Sequence, residues 1–370
     1  MKIKAAVLRE VKKPLSIEEL ELAPPKANEV LVKVAYTGFC HSDLHTMLGD
    51  SPGVLPIVMG HETAGVVEDV GPGVTKVKKG DRVITAWMVS CGQCSMCRQG
   101  IGNVCLGNYG AVVNGTLLDG TTRLTDKDGK KLQHFILVAG FATHTVCPEG
   151  GVIPIPKEFP LEQACLLGCG VTTGFGAINN RAKVRPGDSV AVYGVGGIGL
   201  NAIRAASLAL ADPVIAIDIE GSKEGLAREF GATHFINSSK EDPVPKIQEL
   251  TGGGANVVVE AIGDPGSYIQ AFWSLGMAGK LIAVGVMPAD KTGNFPMIFL
   301  TFQEKSILGS LYGSVCSLDT EIPKLVKLAM KGHLKLDKLV TKKFRLNQIN
   351  DVAETMAKHQ IQGRWVCEMD

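Results

Sequence analysis

The sequence predicts an α/β chain in two parts, one mainly β and one built on a doubly wound parallel sheet. Three observations carry this. The chain has 370 residues, and single hydrophobic cores seldom grow far beyond about 250–300 residues. Its first portion sets short apolar strands between Gly and Pro turns, as in "EVLVKVAYTG", "AGVVEDVGPGV" and "GDRVITAW". Its middle portion changes rhythm to apolar strand, helix, apolar strand, a succession that makes a parallel sheet covered by helices on both faces.

Taken in order, residues 3–152 read as short strands, and "PLEQACLLGCGVTTGFGAI" reads as a helical passage. There follow a strand at "SVAVYG", a helix over 198–211 and a strand at "VIAID". A helix over "KEGLAREF", a strand near "ATHFIN", a helix over "PVPKIQEL" and buried strands at "VVVEAIG" and "KLIAVG" continue the alternation. The tail returns to mixed composition, with helices over "EIPKLVKLAMKG" and "INDVAETMAKHQ". The expected domains are therefore 1–170 and 313–370 as two parts of one, with 171–312 inserted between them.

Charge excludes some functions. With 38 basic and 37 acidic residues, nothing favours nucleic acid or an anionic membrane as partner, and a small molecule fits better. The opening "MKIKAAVLRE" reads as a strand, not a signal peptide. The stretch nearest to a membrane span, "SVAVYGVGGIGLNAIRAASLALADPVIAID", is broken by Arg204 and glycines. The expected location is the cytoplasm, where thiols stay reduced and clustered cysteines are metal ligands more often than disulfides.

Four of ten cysteines stand as C-x2-C-x2-C-x7-C: Cys91, Cys94, Cys97 and Cys105. One loop can fold four such sulfurs around a tetrahedral ion, and four thiolates leave no open position. The expectation is a closed structural zinc, with an iron–sulfur cluster or unligated cysteines as alternatives. Cys40 in "GFCHSDLH", His61 with Glu62 in "GHETAG", and Cys169 in "LLGCGVTTG" lie far apart. Two thiolates and an imidazole make a set that leaves a fourth zinc position for water or a substrate oxygen. Asp43 is the expected acceptor for His61, fixing its tautomer. Glu62 is either a further ligand or a neighbouring anion. Cys147, Cys165, Cys316 and Cys367 read as packing or surface thiols.

"SVAVYGVGGIGLNAI" carries Gly194, Gly196 and Gly199 as G-x-G-x-x-G between a strand and a helix, with Gly197 and Ile198 on the same turn. In that context the glycines permit the tight turn, the approach of backbone to a pyrophosphate, and helix–strand packing. This is the fingerprint of a Rossmann domain. Asp218, nineteen residues beyond Gly199, ends the next strand, where a carboxylate accepts ribose hydroxyls and repels a 2′-phosphate. NAD is thus expected over NADP. Lys223 either flanks the adenosine ribose or is a solvated lysine.

These residues together resemble the zinc-dependent medium-chain alcohol dehydrogenases over essentially the whole chain. "GHETAGVVEDVGPGV", from Gly60 to Val74, resembles the family signature G-H-E-x2-G-x5-G-x2-V, and the cysteine lobe, "GCG" and "GVGGIG" follow in the family's order. The segment "NGTLLDGTTRLTDKDGKKLQHF" is similar to the longer members, which include glutathione-dependent formaldehyde dehydrogenase. "CLLGCGVTTG" and "VYGVGGIGLNA" resemble the aryl or nicotinoprotein-type branches. The resemblance implies a GroES-like catalytic domain beside the Rossmann domain, a catalytic zinc on Cys40, His61 and Cys169 with Glu62 beside it, a structural zinc, and NAD. It implies Ser42 as the hydroxyl contacting substrate oxygen, His45 as the outer end of a proton relay, and Thr173 near the nicotinamide. Trp87 would be a wall of the substrate pocket or an ordinary buried aromatic; Arg364 would bind cofactor phosphate or be a solvated tail arginine. His41 would lie near the cofactor phosphates or, like the other histidines, have a purely structural place. The implied activity is reversible hydride transfer between primary alcohols, aliphatic or aromatic, and NAD. Alternatives are a thiol-dependent formaldehyde dehydrogenase and a non-catalytic NAD-binding redox sensor. Pro52-Gly53 stands where the formaldehyde dehydrogenases carry an acidic residue, which weakens the thiol-adduct reading. "KSILGSLYG" reads either as a strand that pairs across a subunit interface, as strands there do in this family, or as an internal sheet edge, with a homodimer as first choice and a homotetramer as second.

Overall fold

The computed structural model describes residues 1–51 and 53–369, so Pro52 lies outside the described residues. The chain divides into two compact units, Met1–Gly170 with Val315–Asp370, and Val171–Ser314. The return to the first unit falls at Val315 and not at 313, because Gly313 is tied into the second. Its carbonyl accepts from Asn180 Nδ2 at 3.1 Å, and a Cβ on it would lie 2.3 Å from the Thr172 carbonyl oxygen.

In the first unit the strands Lys2–Leu8, Ser16–Leu22, Leu124–Thr125, Lys131–His134 and Ile57–Val58 close into a barrel. A second sheet runs in the order Val152–Pro154, Arg82–Thr85, Glu62–Val70, Glu29–Gly38, Arg364–Glu368, Val340–Arg345, and His144–Pro148 also pairs with Glu29–Gly38. Glu29–Gly38 reads as a nearly continuous apolar run because it is buried among three cores: Val30 and Val32 enter one, Leu31 a second and Val34 a third. Antiparallel register then does the work of assembly. Gly38 faces Glu62 on one neighbour and Val366 on the other, so the end of this strand meets the beginnings of two others. Cys40, His61, Glu62 and Arg364 are thereby delivered to one end of the sheet.

The expected helical passage through "PLEQACLLGCGVTTG" is broken. Leu161–Ala164 tightens into the 3₁₀ turn Cys165–Gly168, and Cys169 leaves helical geometry at φ −151°, ψ −75° before Gly170–Gly176 resumes. Gly168 allows the turn to press on the sheet, since a Cβ there would sit 2.7 Å from the Thr85 carbonyl oxygen. The break sets Cys169 beside His61.

In the second unit six parallel strands lie in the order His234–Asn237, Val214–Asp218, Val190–Tyr193, Ala255–Glu260, Leu275–Ala283, Ser306–Gly309. Chain order reverses between Val190–Tyr193 and Ala255–Glu260, and in open α/β sheets ligands bind at the carboxyl ends of strands at such a switch. Ala191, Tyr193, Ile215, Val258, Phe272 and Leu281 fill the core beneath.

Candidate metal and dinucleotide sites

The ligand atoms of Cys40, His61, Glu62 and Cys169 lie within 4.8 Å of one another, all four residues buried. Cys40 caps the helix His41–Leu48, and its N–H donates to Asp43 Oδ2 at 3.0 Å. Asp43 is fully buried, and its Oδ1 accepts from the Gly60 N–H at 3.1 Å and from His61 Nδ1 at 3.4 Å. Since a carboxylate only accepts, His61 carries its proton on Nδ1 and leaves the Nε2 lone pair bare. That atom is buried with no hydrogen-bond partner, which is costly unless something binds it. A bare imidazole nitrogen among two sulfurs is the donor set of an open zinc site, so the residues fit the metal.

The charges agree. Cys40 is held far below the ordinary thiol range by the hydrogen bond from Cys169, helped by Arg364 and His61. Cys169 is pushed up as the partner that keeps the proton, with burial adding to the effect. Burial opposes charge on His61, but Asp43 and Cys40 outweigh it and push its pKa up. Binding a dication would release the Cys169 proton and keep His61 in its neutral Nδ1–H form. Burial raises Glu62 to about 7 against the pull of Arg364. Its Oε1 accepts from the Gly170 N–H at 2.9 Å and Arg364 Nη2 at 3.1 Å, while Oε2 has no partner. Gly38 makes the room, because a Cβ there would lie 2.2 Å from that Oε2.

Arg364 is buried, not a solvated tail arginine, and turns its guanidinium to Glu62 Oε1 at 3.1 Å and to the Phe39 carbonyl oxygen at 3.2 Å. Ser42 Oγ lies 3.7 Å from Cys40 Sγ. His45 sits three residues on, hence on the same helix face, with its side chain 18% exposed. Trp87 is half-buried against the core that holds Val83 and Val152.

Cys91, Cys94, Cys97 and Cys105 form a second cluster of sulfurs, also within 4.8 Å of one another. Backbone amides turn inward: Cys91 N–H to Cys105 Sγ at 3.3 Å, Cys94 N–H to Cys91 Sγ at 3.4 Å and Cys97 N–H to Cys94 Sγ at 3.5 Å. Those bonds stabilise thiolate. The Cys97 N–H lowers Cys94 to about 6, whereas burial and Cys94 lift Cys97 to about 12. Cys147, Cys165 and Cys367 are buried and Cys316 is exposed.

In the second unit Gly194 adopts φ 94°, and Gly199 is a steric necessity, since its Cβ would lie 1.8 Å from the Gly194 carbonyl oxygen. At Gly196, the N-cap of the helix Gly197–Leu208, a Cβ would meet no atom within 4 Å. That open cradle at a helix N-terminus fits a pyrophosphate. Gly197 and Gly199 are buried and Ile198 half-buried on the first turn. Asp218 Oδ2 accepts from the Val195 N–H at 2.8 Å, so the acidic residue is bonded to the glycine turn itself. Lys223 is buried and its Nζ lies 3.0 Å from Asp218 Oδ2, which excludes the solvated alternative. Thr173 is buried in the helix Gly170–Gly176.

Two residues escaped the sequence reading. Asp50 pairs with His45 at 3.2 Å. Glu260, fully buried at a strand end, accepts from the N–H groups of Ile262 and Gly263 at 3.0 and 2.9 Å and from Ser267 Oγ at 2.7 Å. It therefore shapes the rim of the sheet at the switch point. A carboxylate closing an apolar strand, as in "VVVE", was the available signal.

A buried metal-ligand cluster and a dinucleotide cradle on one chain define a metal-dependent dehydrogenase. The family models agree: residues 26–157 match the alcohol dehydrogenase GroES-like domain and residues 197–331 match the zinc-binding dehydrogenase domain. A protein of Schizosaccharomyces pombe named a probable S-(hydroxymethyl)glutathione dehydrogenase 1 is 42% identical over 95% of this chain and 93% of its own. Benzyl alcohol dehydrogenase from Acinetobacter calcoaceticus superposes with a TM-score of 0.93 at 35% identity, covering 100% of both chains. An alcohol dehydrogenase zinc-binding domain protein from Burkholderia ambifaria gives 0.94 at 38%, covering 100% of this chain and 99% of its own. The chain belongs to the zinc-dependent medium-chain alcohol dehydrogenases. It is an oxidoreductase that uses zinc and NAD on small-molecule alcohols. Among the described residues, no helix is long and apolar enough to cross a membrane.

Proposed function

We propose that this enzyme oxidises primary alcohols, aliphatic or aromatic, with NAD, and runs the reverse reduction of aldehydes. The bare, buried His61 Nε2 facing two sulfurs carries the reading, because it marks a ligand set that is complete for the metal and open for a substrate. When bound, zinc supplies Lewis acidity to the substrate oxygen and NAD accepts the hydride. Cys40, His61 and Cys169 hold the metal, with the buried Glu62–Arg364 pair as adjoining charge. Asp43 keeps His61 in the ligating tautomer. Ser42 contacts the substrate hydroxyl, and His45, on the same helix face and partly exposed, passes the proton to solvent. Thr173 and the Gly194–Gly199 turn bind the dinucleotide, to which Arg364 offers its remaining N–H donors. Asp218 with Lys223 takes the adenosine ribose and excludes a 2′-phosphate. Trp87 limits the substrate pocket.

A second reading, oxidation of the formaldehyde–thiol adduct, is favoured by the names of the relatives at 41–42% identity. The test is NAD reduction with a panel of primary, secondary and aromatic alcohols, and with formaldehyde with and without a low-molecular-weight thiol. Turnover with free primary alcohols is expected; turnover confined to formaldehyde plus thiol would replace the first reading by the second.

The homodimer is proposed on the edge strand Ser306–Gly309, near which Met297, Phe302 and Leu311 are exposed apolar side chains. A cytoplasmic location suits thiolate clusters that must stay reduced.

A further inference from the structure

The helix His41–Leu48 ends in a way that ties two side chains together. Gly49, at φ 81°, reverses the chain, its N–H reaching the Thr46 carbonyl at 3.2 Å while the Asp50 N–H reaches the His45 carbonyl at 2.9 Å. This is the double bond pattern of a Schellman stop, in which the residue after the glycine lies over the residue five before it. In most such stops that contact is apolar. Here it is His45 Nδ1 against Asp50 Oδ2 at 3.2 Å, with the two side chains 18% and 29% exposed.

We propose that Asp50 is a positioning residue for His45, locking the imidazole as the Nδ1–H tautomer so that Nε2 is the atom that takes the reaction's proton. This rests on the relay reading above. A carboxylate oxygen accepts only, so the bond to Asp50 requires hydrogen on Nδ1 and leaves the lone pair on Nε2. When Nε2 takes the proton the ring becomes a cation, beside a carboxylate and in the last turn of a helix, where positive charge is favoured. The carboxylate serves only as acceptor to Nδ1–H, and the proton leaves from Nε2 to water. His41 also lies near the ring, 6.3 Å between centroids. The helix Ile349–Ala357, packed against this one, brings Asp351 and Glu354, with Lys358 and His359 at its end. Among the described residues, Asp50 alone places a carboxylate within 4.0 Å of His45.

The test compares Asp50→Asn, Asp50→Glu and His45→Ala in the zinc-loaded enzyme. An asparagine amide can donate to Nδ1 and reverse the tautomer. Asp50→Asn is expected to lower kcat by roughly tenfold near neutrality, part of what a positioned base contributes, with KM and NAD affinity unchanged and the deficit fading as pH rises and hydroxide replaces the relay. Asp50→Glu should restore most of the rate, and ¹⁵N shifts of His45 should report the changed tautomer in Asp50→Asn. If His45→Ala slows turnover while Asp50→Asn matches the parent at every pH, the positioning role is overturned and the relay stands. If His45→Ala itself changes nothing, the relay reading falls and this proposal with it.

Discussion

The two cysteine-containing clusters of this chain each bring their ligand atoms within 4.8 Å of one another, by opposite routes. Cys91, Cys94, Cys97 and Cys105 come from fifteen consecutive positions, and their thiolates are stabilised by the amides of that same loop. Cys40, His61 and Cys169 come from a strand end, the start of a neighbouring strand and a broken helix. Their second layer, Asp43 and Arg364, is drawn from still other positions. A local cluster can only fold shut around its ion. A dispersed one can leave a side open, because the fold and not the loop holds its ligands apart.

The sharpest way to break this contrast is to remove one sulfur from each cluster. Cys169→Ala is expected to cut kcat by about 10³-fold or more, since Lewis-acid stabilisation is worth several kcal/mol. NAD affinity, titrated by fluorescence, should be kept, and metal analysis should find one zinc in place of two. Cys94→Ser should do the reverse, lowering thermal stability through loss of the structural ion while activity per folded molecule survives at low temperature. If both variants lose rate with equal stability, the division of labour is wrong.

A milder test leaves the ligands in place. Asp43→Asn keeps the shape of the side chain and removes its charge, and outer partners of ligating histidines typically matter by about 10–100-fold in metal affinity or activity. The check is zinc affinity by competition with a chromophoric chelator. The corresponding change in the closed lobe has no side-chain target, because its supporting donors are backbone N–H groups.

The smallest effect compares two buried imidazoles. His61 is pushed up by Asp43 despite burial, whereas burial and the charge of Arg123 hold His134 down at about 3. Unfolded His134 takes a proton near pH 6.5 that the folded chain refuses. Its folded value lies below its unfolded one, so its stabilising contribution is complete above about pH 6.5 and is lost as pH falls toward 3, by about 1.4 kcal/mol per pH unit. His134→Gln should flatten the acid slope of urea-unfolding stability by one proton; an unchanged slope would show that His134 titrates normally.

Much of this was legible in the sequence, and the residues show why. The closed lobe declares itself by spacing, because four ligands on one loop need no help from distant chain. The glycine turn and Asp218 are legible because strand, turn and helix are consecutive, and Gly199 has no alternative beneath the Gly194 carbonyl. Lys223 was not: whether it is solvated or paired depends on how its turn folds back onto Asp218. The partners of Arg364 were not legible for a similar reason. Its position in the chain says nothing about the strand register that brings it to Glu62, over 302 residues of sequence separation.

By itself, then, the amino-acid order determined the alternation of strands and helices, the spacing of the four-cysteine lobe and the nucleotide turn, all of which depend on neighbours within a few residues, while Cys40, His61 and Cys169 were offered only by their chemistry. Tertiary structure alone decided that Gly38 meets Glu62 and leaves space for its carboxylate, that Cys169 sits at a break in its helix, that His61 Nε2 is left bare, and that Asp50 folds over His45. Those are outcomes of register, packing and backbone reversal, most of them settled only when segments far apart in the chain come together and the last by the local geometry of a helix end.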